Sequence, residues 1–566
     1  MNELKNFTKV TSQFLFVIIL IFFSTAKAQE IDKFNKANNI ADYFSGIVLL
    51  NQNQYEESQK YLKKLHGLEK KHTTYSSKYL YSLINSGNFN QAYQFSRKLR
   101  NDGKDSFESD LISGIYFLKN SKFDQANKFF LKAKNRKFRS ILDSYIANSL
   151  FLWSNLSKYN LDESLIVLNQ IDQRFENLKR IQEVFIHCYY DDKKTDTLFY
   201  DLIKNNKIDF SRYNFFYAKY LESKNEKSKA KEIINNAARE YPRNLLINQK
   251  KLNQSNFKDN LFFDCREISH VTAEMIYIAA NALSSQNVYQ LSNFYLNLAK
   301  YLNSNFIAYD NLLAENFLKI DNYLNAKNIY KNMRNFGEVF KWYSNKQISR
   351  ILILEKKKEK SLKLLANAYE DLKNKGIYET FDYAEFLKNN EQFQKSIRYY
   401  SQILEKIDDK HVLYPEVTDG RGVSYERVGN WELAEKDLQS SLLVKPDQAY
   451  VINYLAYSWI EKGIKIEESL KMLEKANQLK SNDPYIIDSL GWALFKLERY
   501  KQSKEYLQLA VRLMPEDPIV NDHYGDALWK NGKEIQARYY WKYVLGLEKT
   551  EKDLKEKLKS KLIKGL

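Results

Sequence analysis

Residues Asp483–Trp541 read DPYIIDSLGWALFKLERYKQSKEYLQLAVRLMPEDPIVNDHYGDALWKNGKEIQARYYW, and one pattern occurs twice within this stretch. The pair Leu490-Gly491 recurs 34 residues later as Tyr524-Gly525, and the Asp-Pro that opens each unit recurs at the same distance. Such a period is typical of stacked repeat units and not of one compact core. The stretch therefore defines a register with which the rest of the chain can be searched.

The same register extends back towards the N-terminus. When Gly491 is counted as position 8 of its unit, small residues fall at position 8 throughout the chain: Gly46, Gly114, Ala218, Ala280, Ala314, Ala384, Gly422, Ala456, Gly491 and Gly525. Position 20 is also small in nearly every unit, from Ser58 to Ala537. Small residues at two such positions allow two antiparallel helices to cross closely, so each unit is predicted to be a hairpin of a helix A and a helix B.

Helix-breaking residues support this register independently. All six prolines fall at junctions between units, where proline ends one helix or begins the next. Asp483 and Asp517 each precede such a proline and are predicted N-caps. Glycines follow helix A in several units, where a left-handed turn is expected: Gly87, Gly429, Gly463 and Gly532. The predicted fold class is all-α.

The units resemble the tetratricopeptide repeat (TPR) in period and residue order. The last three carry the segments Asn453–Trp459, Asp488–Trp492 and Asn521–Asp526, which are similar to segments of exported TPR proteins common in alphaproteobacteria; Ala456 and Tyr524 depart from that pattern. The resemblance implies a right-handed superhelical solenoid of about 12–15 antiparallel helix hairpins that binds other proteins. It implies no reaction.

The register also divides the chain into segments. We predict a signal peptide over 1–28, a lead-in over 29–38, repeats over 39–140, degenerate helical hairpins over 141–210, repeats over 211–413 with an irregular hairpin near 243–272, strong repeats over 414–546 and a capping helix over 547–566. The insertion Asp408–Pro415 is interpreted as a change of pitch or a boundary between two arrays. For the last segment, a helix lying on a membrane surface is the alternative to a solenoid cap.

The N-terminus has the order of a secretory signal peptide. Lys5 and Lys9 precede the apolar run Phe14–Phe23, and Ala26-Lys27-Ala28 follows as a cleavage site. We therefore expect an exported, periplasmic protein that begins near Gln29, with a retained N-terminal anchor as the alternative. Although the formal net charge is +18, the lysines are dispersed, which favours solvated helix faces over a nucleic-acid surface. Membrane association is expected to be peripheral at most.

The sequence contains none of the common nucleotide-binding, hydrolase or zinc-protease motifs, and its six histidines are scattered. We therefore expect no catalytic residues, no cofactor and no metal. Cys188 and Cys265 lie about two repeats apart. In a regular solenoid that separation places their Cα atoms beyond the reach of a disulfide, so two buried free thiols are predicted.

In TPR proteins, positions 2, 5, 9 and 12 of helix A line an inner groove, as the resemblance implies. In the last three repeats the candidates for this groove are Tyr450, Asn453, Tyr457, Tyr485, Asp488, Trp492, Asp522 and Asp526. Aromatic surface with a few polar groups suits an extended peptide or a helix. Because aspartates stand where cations would hold a carboxylate, a basic or amide-rich segment is expected. The alternative is that the polar residues cap or bridge helices and that Trp492 serves packing.

These observations favour an exported protein–protein interaction scaffold without catalysis. A second hypothesis is an accessory subunit of outer-membrane, polysaccharide or peptidoglycan assembly machinery. A third is an enzyme whose site carries no recognised motif, which would require convergent titratable residues in one cleft. The sequence does not identify the partner.

Overall fold

A computed structural model describes residues 37–136, 140–204, 209–253 and 262–566. The predicted signal peptide and nearly all of the lead-in lie outside the described residues. Within these ranges the chain forms thirty α-helices, three short 3-10 helices and no strand. Successive helices pack as antiparallel hairpins, so the all-α hairpin prediction is confirmed. No helix in the described ranges is long and apolar enough to cross a membrane.

The described part of the chain divides into two compact units, the first ending at Ala368 and the second comprising Tyr369–Leu566. In the first unit the helices are α1 Ala37–Asn51, α2 Tyr55–Lys63, α3 Thr73–Asn85, α4 Phe89–Asn101, α5 Phe107–Lys119, α6 Phe123–Lys134, α7 Ile141–Asn155, α8 Leu161–Asn169, α9 Glu176–Tyr189, α10 Thr195–Ile203, α11 Tyr213–Ser223, α12 Lys227–Glu240, α13 Leu245–Asn253, α14 Ile268–Ser285, α15 Tyr289–Leu302, α16 Ala308–Lys319, α17 Tyr323–Met333, α18 Glu338–Leu354 and, ending just past the division, α19 Lys358–Glu370.

The second unit contains the remaining helices: α20 Ile377–Asn389, α21 Phe393–Leu404, α22 Tyr414–Arg427, α23 Trp431–Val444, α24 Ala449–Glu461, α25 Ile466–Leu479, α26 Pro484–Lys496, α27 Tyr500–Leu513, α28 Pro518–Lys530, α29 Glu534–Gly546 and α30 Lys552–Lys564. The insertion Asp408–Pro415 lies inside this unit. The last helix, α30, packs on α29 and buries Leu558 completely, with Leu554 and Leu562 against the same core.

Close helix crossing explains the small residues of the repeat. At Gly491 an added Cβ would lie 2.7 Å from Cγ of Leu507, which is closer than packed carbon atoms approach. In three units the serine at position 20 also donates a hydrogen bond to the carbonyl at position 8: Ser58 to Gly46, Ser292 to Ala280 and Ser361 to Ser349, each at 2.7 Å. In those units the small residue at position 20 also joins the two helices by a hydrogen bond.

The predicted helix ends are confirmed. The carboxylate of Asp483 accepts the N–H groups of Tyr485 at 3.1 Å and Ile486 at 3.3 Å, and Asp517 caps α28 in the same way. Both helices begin with proline. The turns after helix A are left-handed at Gly429 and Gly463, with φ of 84° and 67°.

The first unit folds back on itself. Helix α15 lies against α3 and α5, and α14 lies against α7. The ring of Tyr81 on α3 stacks on Phe294 with centroids 4.4 Å apart, and that of Phe89 on α4 stacks on Tyr301 at 4.1 Å. Side chains of this unit therefore cover the surface of its own first repeats.

Hydrogen bonds also join the folded-back helices to the first repeats. Lys119 Nζ donates to the carbonyl of Leu302 at 2.9 Å, and the amide of Gln290 donates to the carbonyl of Asn51 at 3.1 Å. Deeper in the unit, Arg212, the residue before α11, donates two hydrogen bonds, of 2.7 and 2.8 Å, to the fully buried Glu274 on α14. Removing either partner would leave a buried charge unpaired, which is strongly destabilising.

The prediction of two free thiols was wrong. Cys188 and Cys265 form a disulfide, with Cα atoms 6.0 Å apart. The reason is the segment before α14: Phe263 packs against Phe216 of α11, with ring centroids 4.2 Å apart, and also against Phe185 of α9. This packing brings the two cysteines together, which a regular stack of repeats would not do.

Candidate partner-binding face

The candidate site lies on the helices A of the second unit. We define the A-helix face as positions 2, 5, 9 and 12 of α20, α22, α24, α26 and α28. Tyr450 and Tyr485 at position 2 are 54% and 57% exposed, so both rings are accessible. Asn453 and Tyr457 are half-buried. The remaining predicted residues, Asp488, Trp492, Asp522 and Asp526, are buried.

The exposed tyrosines belong to neighbouring repeats. Tyr450 Oη donates to Oδ2 of Asp483 at 2.9 Å and accepts from Lys480 Nζ at 2.6 Å. The same ammonium lies 4.1 Å from the centre of the Tyr450 ring. Tyr450 is thus held in place at the junction before α26, while most of its surface and that of Tyr485 face solvent.

Asp488 and Trp492 are joined through His523 of the next repeat. His523 Nδ1 lies 3.0 Å from Oδ2 of Asp488, and the ring of Trp492 stacks on the imidazole with centroids 3.9 Å apart. Burial alone would lower the pKa of His523, but the charge and hydrogen bond of Asp488 raise it above its ordinary value. Trp492 also donates to Glu461 Oε1 at 2.7 Å. These side chains therefore bridge consecutive repeats, as the packing alternative anticipated.

Asp522 and Asp526 are paired with the last helix. Lys561 Nζ lies 2.7 Å from Oδ1 of each, and Trp541 Nε1 donates to Asp526 Oδ1 at 3.0 Å. Burial raises the pKa of Asp526 to about 6, with Asp522 acting in the same direction and Lys561 against it. A lysine of this chain therefore occupies the position at which a basic residue was expected.

The register also identifies a carboxylate that was not among the predicted residues. Position 5 is Asp419 in α22, Asn453 in α24, Asp488 in α26 and Asp522 in α28. The pKa of Asp419 is raised to about 6, chiefly by burial; Lys388 acts to lower it, and Glu385 and Glu416 act to raise it. Among the described residues Asp419 has neither a hydrogen bond nor an ion pair. Extending the position-5 comparison one repeat upstream would have found it.

Glu385 and Glu416 are the neighbours of Asp419 on this face. Tyr400 Oη donates to Glu385, and Glu416 pairs with Lys445 at 3.1 Å. Glu416 Oε2 and, two helices on, Asn453 Oδ1 are buried acceptors that lack a partner in the described part of the chain. Lys388 pairs with Glu385 at 2.8 Å, so the acceptors of this half that lack a described partner are the Asp419 carboxylate, Glu416 Oε2 and Asn453 Oδ1. These acceptors favour a donor or a cation as ligand.

The side chains of the A-helix face are suited to binding a ligand. Within the described ranges, no three His, Cys, Asp or Glu side chains are grouped so that they could hold a metal ion. The buried pair of His523 with Asp488 is covered by Trp492. Exposed aromatic rings, acceptor oxygens and a rigid helical support are suited to non-covalent binding.

Residues 344–550 match the family model of the tetratricopeptide repeat. Together with the helix hairpins and the 34-residue register, this match identifies residues 344–550 as tetratricopeptide repeats. Repeats of this family are typically non-catalytic scaffolds for protein–protein interaction.

The chain is also similar to individual proteins. It is 28% identical over 124 residues to the TPR repeat-containing protein PA4667 of Pseudomonas aeruginosa, a match that covers 22% of this chain and 20% of that protein. Among solved structures, MamA from Desulfovibrio magneticus RS-1 has 17% identity and a TM-score of 0.27, covering 31% of this chain and 97% of its own. The APC/C hetero-tetramer Cut9–Hcn1 has 12% identity and a TM-score of 0.37, covering 96% and 99%.

Proposed function

We propose that the protein is an exported, periplasmic scaffold whose second unit binds a basic or amide-rich segment of a partner protein along the A-helix face. The observation that carries this proposal is Asp419, a half-buried carboxylate without a hydrogen-bond or ion-pair partner among the described residues. It belongs to the same A-helix face as the exposed rings of Tyr450 and Tyr485. The scaffold carries out no covalent chemistry.

The choice of the second unit rests on the packing of the first. There α15 covers α3 and α5, and side chains such as Phe294 and Tyr301 fill the surface that an external segment would need. The second unit keeps its position-2 tyrosines open to solvent. An extended or helical partner segment needs such an open aromatic surface to bury apolar area on binding.

The charge of the face supports a basic partner. Lys561 binds between Asp522 and Asp526 in this chain, which shows that the spacing of positions 5 and 9 accommodates an ammonium group. Asp419 occupies the same position in its repeat and forms no ion pair with a described residue, although the nearby Lys388 lowers its pKa. A lysine or arginine of a partner would neutralise Asp419 and lower its pKa towards the ordinary value.

Two observations support export. Residues 1–28 have the order of a signal peptide, and a disulfide joins Cys188 and Cys265. Disulfides persist in oxidising compartments such as the periplasm. Mass spectrometry of the protein from fractionated cells tests this point: a mature chain beginning near Gln29 in the periplasmic fraction is expected, and an intact N-terminus in the cytosolic fraction would contradict it.

The binding proposal is tested by chemical crosslinking in intact cells, followed by identification of captured proteins. The double variant Tyr450→Ala/Tyr485→Ala removes two exposed rings and should reduce capture of the partner at least about fivefold, which corresponds to a loss of about 1 kcal/mol of binding free energy, because tyrosines are enriched among the residues that dominate binding. The control is Tyr539→Ala on helix B α29, which removes a ring that is 68% exposed on another surface. Equal capture by the double variant and the control would overturn the proposal.

A further inference from the structure

The first helix of the described chain carries an apolar strip that is open to solvent. Ile40, Phe44 and Val48 of α1 are 46%, 62% and 51% exposed. Because residues four apart lie on the same face of a helix, the three side chains form one continuous strip, which we call the α1 stripe. Large apolar side chains that are grouped in this way, rather than scattered singly, mark a surface that binds another surface.

The repeat register explains why the α1 stripe exists. Its last two residues occupy positions 6 and 10 of their unit, and examples from the second unit show that these positions face the preceding repeat. His523 at position 6 places Nδ1 3.0 Å from Oδ2 of Asp488 in the repeat before it. Ser424 at position 10 is fully buried, and its hydroxyl lies 2.8 Å from that of Ser396 in the preceding helix B. The α1 stripe is therefore an uncapped repeat surface, whereas the outer face of a terminal repeat is normally polar.

The chain's own lead-in is too short to cover the α1 stripe. In the mature protein proposed above, which begins near Gln29, residues 29–36 are all that precede α1. The stripe spans about 12 Å of helix, and a segment that runs back along it first needs a reversing loop of about 2–5 residues. The residues that remain form at most about 9 Å of helix. This step rests on the proposed export, and it implies that another molecule covers the stripe.

The charges of α1 favour a second copy of the same chain as that molecule. Asp42 is the single charged residue of this helix, and it pairs with Lys64 at 3.0 Å. A helix that lies on a membrane surface carries lysine or arginine along its polar face, and α1 has neither. Two copies with a formal net charge of +18 repel one another in general, so a neutral surface is where they can meet.

We infer that two copies of this protein associate through their α1 stripes. The two helices run antiparallel about a twofold axis, so that each stripe packs against the same stripe of the second copy. Phe44, the middle residue of the stripe, lies nearest the axis. An apolar strip without charges is self-complementary, as a twofold contact requires. The dimer uses no residue of the A-helix face, so this association goes beyond the partner binding proposed above.

The contact is small, and its size determines how the dimer behaves. Two stripes of three side chains each bury less than the area of about 1,200 Å² that a stable interface needs. We therefore expect a dimer that dissociates on dilution, with half of the protein associated at about 1–100 μM.

Sedimentation velocity of the purified protein tests the inference from about 1 to about 200 μM. The weight-average mass should rise with concentration from that of one chain towards that of two, and mass spectrometry of the same sample identifies the first residue. A protein that stays monomeric over this range would overturn the inference. A monomer that begins at Met1 would also assign the stripe to the chain's own N-terminal residues.

A charged variant tests which surface is used. Phe44→Lys places two cations beside the twofold axis and should raise the concentration of half-association at least about tenfold. The matched control is Leu443→Lys on helix B α23, where the leucine is 84% exposed; this variant should associate like the wild type. Because both sites are exposed in the monomer, neither change should lower the melting temperature in dilute solution. Equal association of the two variants would overturn the inference.

Cysteine crosslinking tests the twofold geometry. Cys188 and Cys265 are joined to each other, so an introduced thiol has no native thiol to react with. Under mild oxidation Phe44→Cys should give a disulfide-linked dimer, and Leu443→Cys should not. No linked dimer with Phe44→Cys, or equal linking in both variants, would contradict the inference. So would binding of the wild type, but not of Phe44→Lys, to vesicles of phosphatidylcholine and phosphatidylethanolamine, because the stripe would then serve a membrane.

Discussion

Lys561 in the last helix places its Nζ 2.7 Å from Oδ1 of Asp526, in the helix A of the last repeat. The ammonium is 17% exposed and the carboxylate 5%, so this is a nearly buried ion pair. Helix α30 thus contributes a charge to the last repeat as well as the apolar side chain of Leu558. The pair determines how the C-terminal end of the second unit responds to mutation.

Replacing Lys561 with methionine should destabilise the protein by about 2–4 kcal/mol at pH 8, because two buried carboxylates lose their cation. The loss should be smaller at pH 5, where Asp526 binds a proton. Denaturant unfolding at both pH values measures it. Lys559→Met is the control, since its pair with Glu556 is about 60% exposed on both sides and should change stability by less than about 0.5 kcal/mol. Similar losses for both variants would contradict the account.

We expect Asp419 to make the stability of the protein depend on pH. Its folded-state pKa of about 6 lies above the ordinary value, so the folded protein binds this proton more tightly than the unfolded chain does. Stability from this group is fully present below about pH 4 and is lost as pH rises through 6. Asp419→Asn should therefore stabilise the protein by about 1–2 kcal/mol at pH 7.5 and leave it unchanged at pH 4. A gain at pH 4 as large as at pH 7.5 would show that charge is not the cause.

Gly491 tests the close helix crossing. Gly491→Ala should cost about 1–3 kcal/mol, because the new Cβ meets both the side chain and the backbone N of Leu507. Gly546→Ala is the control, since nothing lies within 4 Å of a Cβ there and its φ is not positive. We expect that variant to be neutral or more stable by up to about 1 kcal/mol. Chemical denaturation measures the free energy of unfolding of both variants. Equal losses of stability for Gly491→Ala and Gly546→Ala would contradict the predicted role of position 8.

We expect the stability of the first unit to depend on the oxidation state of Cys188 and Cys265. Cys188→Ser/Cys265→Ser should lower stability by about 2–4 kcal/mol, because the disulfide closes a long loop in the unfolded chain. Reduction of the wild-type protein should have the same effect. Thiol titration of denatured protein isolated from the periplasm should find no free thiol; two free thiols would contradict both the disulfide and the proposed compartment.

The repeats themselves could be predicted because their signals are local. Gly491, Pro484 and Asp483 each determine a feature within a single helix hairpin. The repeat period, the helix caps and the close helix crossing could therefore be predicted from one stretch of sequence. The fold-back of the first unit could not be predicted, because it depends on contacts between residues that are distant in sequence, such as Tyr81 and Phe294. Such contacts form only when many helices have taken up their positions. The disulfide was missed for the same reason.

The residues predicted to line the groove differ in their exposure and contacts. Tyr450 and Tyr485 lie exposed where a groove residue should lie, whereas Asp488, Asp522 and Asp526 are engaged by His523 and Lys561. Helix position alone does not show whether a carboxylate faces solvent or a side chain of the next helix. Asp419 could have been identified with the same register, because it occupies position 5 of an earlier repeat.

The central claim is that the A-helix face of the second unit binds a basic partner segment. Its most direct test is a photo-crosslinking amino acid placed in intact cells at position 485 or, as control, at position 539; the native tyrosines there are 57% and 68% exposed. We predict one protein crosslinked at position 485 through a peptide rich in Lys, Arg, Asn or Gln, and reduced crosslinking when Asp419 is replaced with Asn. No specific adduct at 485, an adduct of equal yield at 539, or an acidic crosslinked peptide would contradict the claim.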